Sequence, residues 1–420
     1  MKSSLPFSRR AMLAGMAGAA GVSVLTQSGA AAQSGGARPE VIVIGAGVFG
    51  AWTAWHLLKS GKRVLLVDAW GPAHARASSG GESRMTRTAY GRDDVYSRFA
   101  WESLEDWRWL SERAALPVFH PIGVLFFFPR IEPYVTQSIE VHRQLRIPLE
   151  TLDRPALQKR FPQFEWQGVE VALYEPDRGA LMARRAVQTL VKEFVAAGGE
   201  YKQVAIQPPR AESTLTGIVT STGETLRASQ YVFACGPWLP KLFPELLGGR
   251  IVPTRQEVFF FATGPGDVSF SPSHLPGWAD FNEGDIYYGF PDLESRGFKI
   301  AHDQHGDEMD PDVGDRTPSA EGLRDVRAFM QRRIPALASR PLSEARVCQY
   351  ENSSNGDLLI DRHPSWENAW LVGAGSGHGF KHGPAVGRYA AAIVTGSAGV
   401  KVEPRFSLRT KSVRQQREVH

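Results

Sequence analysis

The sequence predicts an α/β protein in which a domain with a parallel sheet is split into segments by an inserted α+β domain built on an antiparallel sheet. Two observations lead to this prediction. A strand, a glycine-rich turn, a helix and a second strand follow one another between residues 41 and 68. Similar strand and helix patterns return after residue 180 and after residue 343, with segments of a different pattern between them.

The glycine-rich turn lies between two apolar runs, and the second run ends in Asp68. In this pattern Gly45 allows a tight turn, Gly47 lets the backbone approach a pyrophosphate, and Gly50 lets the next helix lie close to the sheet. The helix N-terminus favours the pyrophosphate, and the carboxylate of Asp68 can hold a ribose. The segment predicts a Rossmann-type dinucleotide-binding unit, with a turn that binds no ligand as the alternative. The predicted contacts are Gly45, Gly47, Val48, Phe49, Gly50 and Asp68.

Three later segments repeat parallel-sheet features. A helix predicted over residues 182–197 has an apolar stripe at helical spacing and stops at two glycines. A buried strand at 231–234 runs into a glycine turn, and an apolar run at 369–372 precedes a glycine-rich loop and a helix that Pro384 opens. We therefore predict a discontinuous domain over residues 39–88, 180–245 and 343–400.

The intervening residues, 89–179 and 246–342, mix aromatic, proline and charged residues. Alternating apolar runs such as 258–262 and 286–290 are typical of an antiparallel sheet. We predict that these residues form a substrate domain packed over the ligand of the first domain.

The first 32 residues resemble an export signal. Arg9 and Arg10 precede a short apolar stretch rich in alanine and glycine, and small residues end at Ala32. This order predicts a twin-arginine signal, with periplasmic or secreted localisation and the translocation machinery as a partner. The alternative is a disordered basic extension. No stretch is apolar enough for stable membrane insertion.

The composition of the chain limits the classes of protein to which it can belong. The chain has 420 residues and is 42% hydrophobic, enough for two domains. Its net charge is +4, and the first 32 residues hold three basic and no acidic residues, so the mature charge of about +1 does not favour nucleic acid. The 11 histidines form no ligand spacing, so no metal site is predicted. The two cysteines are either free or paired, and residues 401–420 are predicted to be a solvated or disordered tail.

Several further motifs occur in a fixed order. Besides the dinucleotide turn, they lie at residues 78–91, 175–177, 287–291, 297–299, 347–350, 359–364 and 375–381. Together they resemble the group of monomeric sarcosine oxidase, N-methyltryptophan oxidase and pipecolate oxidase, which are D-amino-acid-oxidase-like flavoproteins. The most specific parts are the serine and glycine loop that leads to Arg84 and Arg87, and the Gly-His-Gly-Phe-Lys sequence that ends at Lys381.

The resemblance implies FAD, joined covalently through a thioether from Cys348 to the flavin 8α-methyl. A buried core cysteine and a disulfide with Cys235 are the alternatives. Cys235 itself is interpreted as a small apolar residue. The loops matched to the family add further cofactor contacts, at Ser79, Arg84, Gly375, Gly377, His378, Gly379, Phe380 and Lys381.

The resemblance also implies catalytic residues. Arg87 and Lys381 match positions that bind the substrate carboxylate, for which the planar guanidinium of arginine is suited; surface charges are the alternative. Lys299 matches the lysine that promotes the reaction of reduced flavin with oxygen, since a fixed ammonium stabilises a superoxide-like anion. Its alternative is a cap on a sheet edge. Tyr288 and Tyr350 match pocket residues, with packing as the alternative.

The chain departs from the family pattern around the pocket. The family often has histidine where this chain has Gly80, and again where it has Asp303, with His302 one position early. After Tyr350, residues 351–356 replace the usual threonines and aspartate. His378 is not predicted to be a base. These differences leave the identity of the amine open.

We therefore expect an exported, monomeric flavoenzyme that oxidises a secondary amine of an N-methyl, N-substituted or cyclic amino acid. Hydride transfer to flavin N5 gives an imine, which hydrolyses, and O2 is reduced to H2O2. The alternatives are a dehydrogenase with a quinone or protein acceptor, a tailoring oxidase for an amine within a larger exported metabolite or peptide, and a non-catalytic flavin- or nucleotide-binding protein.

Overall fold

The structure is a computed structural model that describes residues 38–282, 285–304, 306–400 and 402–413. The described residues belong to one unit that begins at Arg38. The export signal predicted over residues 1–32 lies outside the described residues.

A six-stranded sheet carries the dinucleotide turn. Its strands are apolar and buried on both faces, as expected for a parallel sheet covered by helices. All neighbouring strands are parallel except Leu359–Arg362 and Ala369–Gly373, which form an antiparallel pair at one edge of the sheet. In spatial order the strands are Leu359–Arg362, Ala369–Gly373, Gln230–Phe233, Val41–Ile44, Val64–Asp68 and Glu200–Gln203.

Three helices pack on this sheet and on one another, namely Val48–Lys59, Ala183–Ala196 and Gly383–Val394. The first helix begins at Val48, directly after Gly47, which occupies its N-cap position. Gly387 lets the last helix approach the first closely, since a Cβ there would lie 2.5 Å from Trp52. The close packing of these helices therefore holds the turn in place.

The inserted residues form an eight-stranded sheet. Every neighbouring pair is antiparallel except Gly277–Asn282 with Val124–Phe128. A mainly antiparallel sheet beside a parallel one confirms the predicted fold class. In spatial order the strands are Leu342–Ser353, Ile251–Phe261, Phe298–His302, Asp285–Phe290, Gly277–Asn282, Val124–Phe128, Val171–Glu175 and Glu150–Asp153.

The edge strand Leu342–Ser353 differs from its predicted place. The sequence predicts that residues from 343 onwards belong to the parallel-sheet domain, but this strand pairs with Ile251–Phe261 along nearly its whole length. Its hydrogen bonds are long-range, so the local pattern did not reveal its partner. The strand consequently brings its C-terminal residues from the eight-stranded sheet to the dinucleotide turn.

Smaller elements complete the unit. Two small sheets pair Ser83–Met85, Ala180–Met182 and Phe119–His120, and Ile218–Val219 with Thr225–Leu226. The remaining α-helices are Asp94–Arg113, Pro133–Leu145, Arg154–Arg160, Leu239–Leu242, Pro244–Leu247, Ala320–Arg333 and Pro335–Ala338. The 3₁₀ helices are Ser78–Gly80, Gly236–Trp238, Leu293–Ser295, Phe380–His382, Pro404–Phe406 and Leu408–Thr410. None of the described helices is both long and apolar enough to cross a bilayer.

The C-terminal segment is packed, which corrects the prediction of a solvated tail for residues 402–413. Phe406 and Lys411 are fully buried. Arg405 forms ion pairs with Asp93 and Asp357, each at 2.6 Å. The basic composition that suggested a solvated end instead supplies partners for carboxylates of the main unit.

Candidate active site

The dinucleotide turn is built so closely that two of its glycines are obligatory. Gly45 has a φ of +105°, and a Cβ there would lie 2.3 Å from the carbonyl oxygen of Ala234. A Cβ on Gly50 would lie 1.8 Å from the carbonyl oxygen of Gly45. Gly47 differs, since the nearest atom to its Cβ would be Ser79 Oγ at 3.5 Å. The protein leaves the space above Gly47 open, as a pyrophosphate requires.

A cavity of about 440 Å³ lies over this turn, at the carboxyl ends of the parallel strands. Ligands bind at this edge in open α/β sheets. The cavity wall does not include the predicted residues Gly50, Cys348, His378, Lys381, Lys299 and Arg87. The cavity brings together, of the predicted residues, Gly45, Gly47, Val48, Phe49, Asp68, Ser79, Arg84, Tyr350, Gly375, Gly377, Gly379 and Phe380.

Asp68 lies at the end of its strand and at the cavity wall. Its Oδ2 accepts a hydrogen bond from the N–H of Ala46 at 2.7 Å. Its Oδ1 accepts from the N–H groups of Trp70 and Gly71, both at 2.8 Å. The carboxylate therefore fixes the turn, and the ribose contact that the sequence predicts stays a prediction.

The serine and glycine loop reaches the turn from a distance in sequence. Ser79 Oγ accepts a hydrogen bond from the N–H of Val48 at 3.0 Å. Arg84 donates to the carbonyl oxygen of Ser78 at 2.8 Å and lines the cavity. A Cβ on Gly80 would lie 2.1 Å from the carbonyl oxygen of His74. The local backbone therefore explains why this chain has glycine rather than histidine at position 80.

Arg87 and Lys381 meet at the ring of Tyr90. The Arg87 guanidinium lies 3.7 Å from the ring centroid, and Lys381 Nζ donates to Tyr90 Oη at 2.8 Å. Both cations are buried, so neither is a solvated surface charge. Burial and the charge of Arg87 lower the pKa of Lys381 well below its ordinary value. An anionic ligand would favour the charged form of this lysine.

Tyr350 and Tyr288 are linked to Arg87 and Lys381 through Asp303. Tyr350 Oη donates to Asp303 Oδ1 at 3.1 Å. Burial, with a contribution from Asp303, raises the pKa of both phenols, which keeps them protonated near neutral pH. Asp303 also acts electrostatically on Arg87 and Lys381. We refer to Arg87, Lys381, Tyr288, Tyr350 and Asp303 as the pocket residues.

His302 does not take the place of the family histidine. Its ring stacks on Tyr287 with centroids 4.2 Å apart, and its Nδ1 lies 3.0 Å from Asp325 Oδ2. Successive side chains of a strand point to opposite faces, which directs position 302 away from position 303. Asp303 is therefore the residue that this chain presents to the pocket.

Lys299 is buried in the middle of the eight-stranded sheet. Its strand is paired on both sides, so the alternative of a sheet-edge cap is wrong. The ammonium donates to Ser83 Oγ at 3.0 Å and to the Ser83 carbonyl oxygen at 3.1 Å. Burial, with the charge of Arg84, lowers the pKa of Lys299 to about 7. Lys299 therefore changes charge near neutral pH.

Both cysteines are free, which removes the disulfide alternative. Cys235 lines the cavity, and its Sγ donates to the carbonyl oxygen of Ile44 at 3.4 Å. Burial raises the pKa of the Cys235 thiol. Cys348 packs against a small apolar cluster that includes Phe260, while the two residues after it line the cavity. Cys348 therefore lies at the border of the cavity.

His378, within the Gly-His-Gly-Phe-Lys sequence, turns away from the cavity, although Gly377, Gly379 and Phe380 line it. His378 packs edge-on against Tyr96 with centroids 4.8 Å apart, and its Nε2 lies 3.1 Å from the carbonyl oxygen of Gly356. Its ring is therefore part of a buried aromatic cluster. The helix Gly383–Val394 begins just after this sequence.

Sequence reasoning missed three site residues. Tyr90 was named only as part of a motif, yet its ring contacts Arg87 and its hydroxyl accepts a hydrogen bond from Lys381. Asp303 and Glu351 were noted as departures without a role, and Glu351 proves to be a buried carboxyl at the cavity wall. The signal for both was a charged side chain where the family pattern has another residue.

Comparison with known proteins agrees with this geometry. The sequence model of the family described as "FAD dependent oxidoreductase" matches residues 40–393. Monomeric sarcosine oxidase of Bacillus sp. (strain NS-129) is 31% identical over 85% of this chain and 92% of the relative. N-methyl-L-tryptophan oxidase of Yersinia pestis (strain Pestoides F) is 29% identical over 84% and 94%.

Among solved structures, L-proline dehydrogenase from P. horikoshii has the same fold, with a TM-score of 0.76 and 21% identity over 88% of this chain and 97% of that one. The resemblance predicted from the motifs is confirmed, and the unfilled space at Gly47 fits the pyrophosphate of the family's cofactor. The chain belongs to the FAD-dependent oxidoreductase family that includes the monomeric sarcosine oxidases and N-methyltryptophan oxidases.

Proposed function

We propose that this enzyme oxidises the secondary amine of an N-methyl, other N-substituted or cyclic amino acid and uses O2 as acceptor. The observation that carries the proposal is the buried pair Arg87 and Lys381, which adjoins the cofactor cavity through Phe380. A pair of cations in a dry pocket favours a carboxylate. The names of the relatives, a sarcosine oxidase and an N-methyltryptophan oxidase, support an N-methyl amino acid as the class.

The pocket residues orient the substrate. Arg87 binds the carboxylate through its planar fork, and Lys381, which contacts the hydroxyl of Tyr90, adds a second donor. Asp303, held by Tyr350, accepts the amine N–H and so fixes the other end of the substrate. Two anchors of opposite charge leave the C–H bond in one orientation, which lowers the entropic cost of reaching the transition state.

Bound FAD supplies a two-electron acceptor at N5. The amine loses a hydride equivalent and becomes an imine, which water hydrolyses to a carbonyl compound and a free amine. The open backbone at Gly47 and the N-terminus of the helix Val48–Lys59 would hold the pyrophosphate, and Asp68 the ribose. The phenols of Tyr288 and Tyr350 stay protonated and help to exclude water from the pocket.

We infer that Cys348 carries the flavin through a thioether to its 8α-methyl group. The position of Cys348 beside Gln349 and Tyr350, both in the cavity wall, supports the inference. The thiol loses one hydrogen and the methyl group another, and O2 takes both as H2O2. After acid precipitation, flavin should stay with the native chain and be released from Cys348→Ser; release from both would contradict the link.

Lys299 promotes the reaction with oxygen, because a buried ammonium stabilises a developing superoxide-like anion. A different observation favours a second candidate, since Lys299 does not line the cofactor cavity. With its pKa near 7, Lys299 is largely neutral in alkaline solution, and a neutral amine does not stabilise an anion. A dehydrogenase that passes electrons to a quinone or protein acceptor is therefore the second candidate.

We further propose that the enzyme acts outside the cytoplasm, after export by the twin-arginine pathway. The adjacent Arg9 and Arg10 support this localisation. Replacing both by lysine should leave the chain in the cytoplasm of the host. An unchanged distribution between cytoplasm and periplasm would contradict the proposal.

The decisive experiment is an anaerobic titration of the purified enzyme with N-methyl amino acids, proline and pipecolate, followed by air. We expect one class to bleach the visible flavin band, and air to restore it with formation of H2O2. A band that stays bleached in air supports the dehydrogenase. A fully loaded flavin that no small amino acid bleaches would overturn the proposed substrate class.

A further inference from the structure

Glu351 presents an unpaired oxygen to the cofactor cavity. The residue is 5% exposed, lies near the end of the strand Leu342–Ser353 and lines the cavity. Its Oε1 accepts a hydrogen bond from the N–H of Gly375 at 3.2 Å. Among the residues that the structure describes, Oε2 has no hydrogen-bond partner. A buried polar atom without a partner costs free energy, so the unpaired oxygen indicates that a ligand completes it.

Two of the glycines near the carboxyl leave space beside it. A Cβ on Gly236 would lie 3.7 Å from Oε2, with no nearer atom, and one on Gly375 would lie 3.6 Å from Oε1. The third, Gly373, is closed by a side chain, since its Cβ would lie 2.5 Å from Leu239 Cδ1. Gly236 begins a 3₁₀ helix and Gly375 lies in a loop, and both follow strands of the six-stranded sheet, next to the turn at Gly45.

Burial without a cationic partner disfavours the ionised form of Glu351. Among the described residues no lysine or arginine contributes to its electrostatics, and the ionisable group beside it is the Cys235 thiol, which burial keeps neutral. Burial raises the pKa of Glu351 to about 7, although the N–H groups of Gly375 and Ala374 oppose this shift. The carboxyl is therefore largely protonated below neutral pH, and its O–H can then donate a hydrogen bond.

We propose that Glu351 is a cofactor-binding residue that holds FAD as a neutral acid, with Oε2–H donating to an oxygen atom of the bound cofactor. FAD carries phosphate, hydroxyl and carbonyl oxygens, all of which accept hydrogen bonds. If Glu351 were ionised, its carboxylate would place a negative charge beside the turn that receives the negatively charged pyrophosphate. The neutral acid gives Oε2 a hydrogen-bond partner and adds no negative charge beside the cofactor.

The test measures FAD binding to apoprotein in a Cys348→Ser background, so that the cofactor can dissociate whether or not the native chain carries a thioether. Quenching of flavin fluorescence gives the dissociation constant between pH 6 and pH 8. If the acid form binds, the dissociation constant should rise about tenfold over this range, because deprotonation of the free protein competes with binding.

Two further variants isolate Glu351. Glu351→Gln keeps a donor, so we expect tight binding that no longer changes with pH. Glu351→Met removes the donor at similar size, so we expect about tenfold weaker binding that is also independent of pH. Circular dichroism and thermal unfolding of each apoprotein check that the fold is kept, and a variant that fails this check is replaced by Glu351→Leu.

Two results would overturn the proposal. Binding that tightens as the pH rises through 7, and does so only with Glu351 present, would mean that the carboxylate accepts from a cofactor hydroxyl. Equal dissociation constants for all variants would mean that Glu351 does not contact FAD. No amine is present in this experiment, so an incorrect substrate in the proposed function leaves its result unchanged.

Discussion

The cofactor cavity and the amine pocket adjoin each other but are built by different means. Backbone atoms form the cavity floor, where Gly45 lines the cavity and Gly50 packs against Gly45, and neither position has room for a Cβ. Side chains form the pocket, where Arg87, Lys381 and Asp303 come from segments far apart in sequence. A site built from backbone atoms tolerates few substitutions, whereas substitutions in a site built from side chains can change which substrate binds. We therefore expect mutations at the cavity to affect folding or FAD binding, and mutations in the pocket to affect reaction with the amine.

The largest expected effect tests the backbone region with a matched pair of glycine variants. Gly45→Ala should destabilise the fold by at least about 3 kcal/mol, because it combines a positive φ with a clash against Ala234. Gly47→Ala has no such clash and should fold, yet lose FAD because the methyl group enters the open space. Thermal unfolding and bound flavin per chain measure the two outcomes. Equal stability of the two variants would contradict the distinction.

Lys299→Met should separate the two half-reactions. We expect the reaction of reduced enzyme with O2 to slow about 100-fold, while an artificial acceptor works at the native rate. In the native enzyme the oxygen reaction should slow as pH rises through about 7, because Lys299 then loses its charge. Stopped-flow reoxidation measures both. Equal loss with both acceptors would assign Lys299 a structural role.

Arg87→Ala should lower kcat/KM about 100-fold, since a charge-assisted pair of hydrogen bonds contributes about 3 kcal/mol. Flavin content should not change, because Arg87 does not line the cavity. Arg87→Lys serves as the control that keeps the charge but loses the planar fork, and we expect an intermediate rate. A variant that loses flavin would show that the two regions are not separate.

Asp303→Asn should have the smallest effect, a rise of about tenfold in KM, because one charged hydrogen-bond partner of the amine becomes neutral. The binding of a carboxylate inhibitor without an amine should stay the same or improve, since the anion next to Arg87 and Lys381 is gone. Inhibition by acetate and by N-methyl amino acids compares the two ends of the pocket. Weaker binding of both ligands would count against an anchor for the amine.

The same contrast explains what the sequence could reveal. The turn from Gly45 to Gly50 and the strand ending in Asp68 were predictable because their geometry is set within one short segment. The Arg87 and Lys381 pair was reached only through family resemblance, because the two residues meet through Tyr90 across a long separation. The strand Leu342–Ser353 was misplaced for the same reason, since strand pairing depends on distant partners.

The buried C-terminal segment has a consequence for how the chain is made. Arg405 joins Asp93 and Asp357, and Asp357 also accepts a hydrogen bond from the buried Tyr96. Both carboxylates are synthesised well before Arg405, so they can form these ion pairs only after residue 405 has been added. The packing of the two carboxylates beside a buried phenol therefore depends on a residue that is made much later than they are.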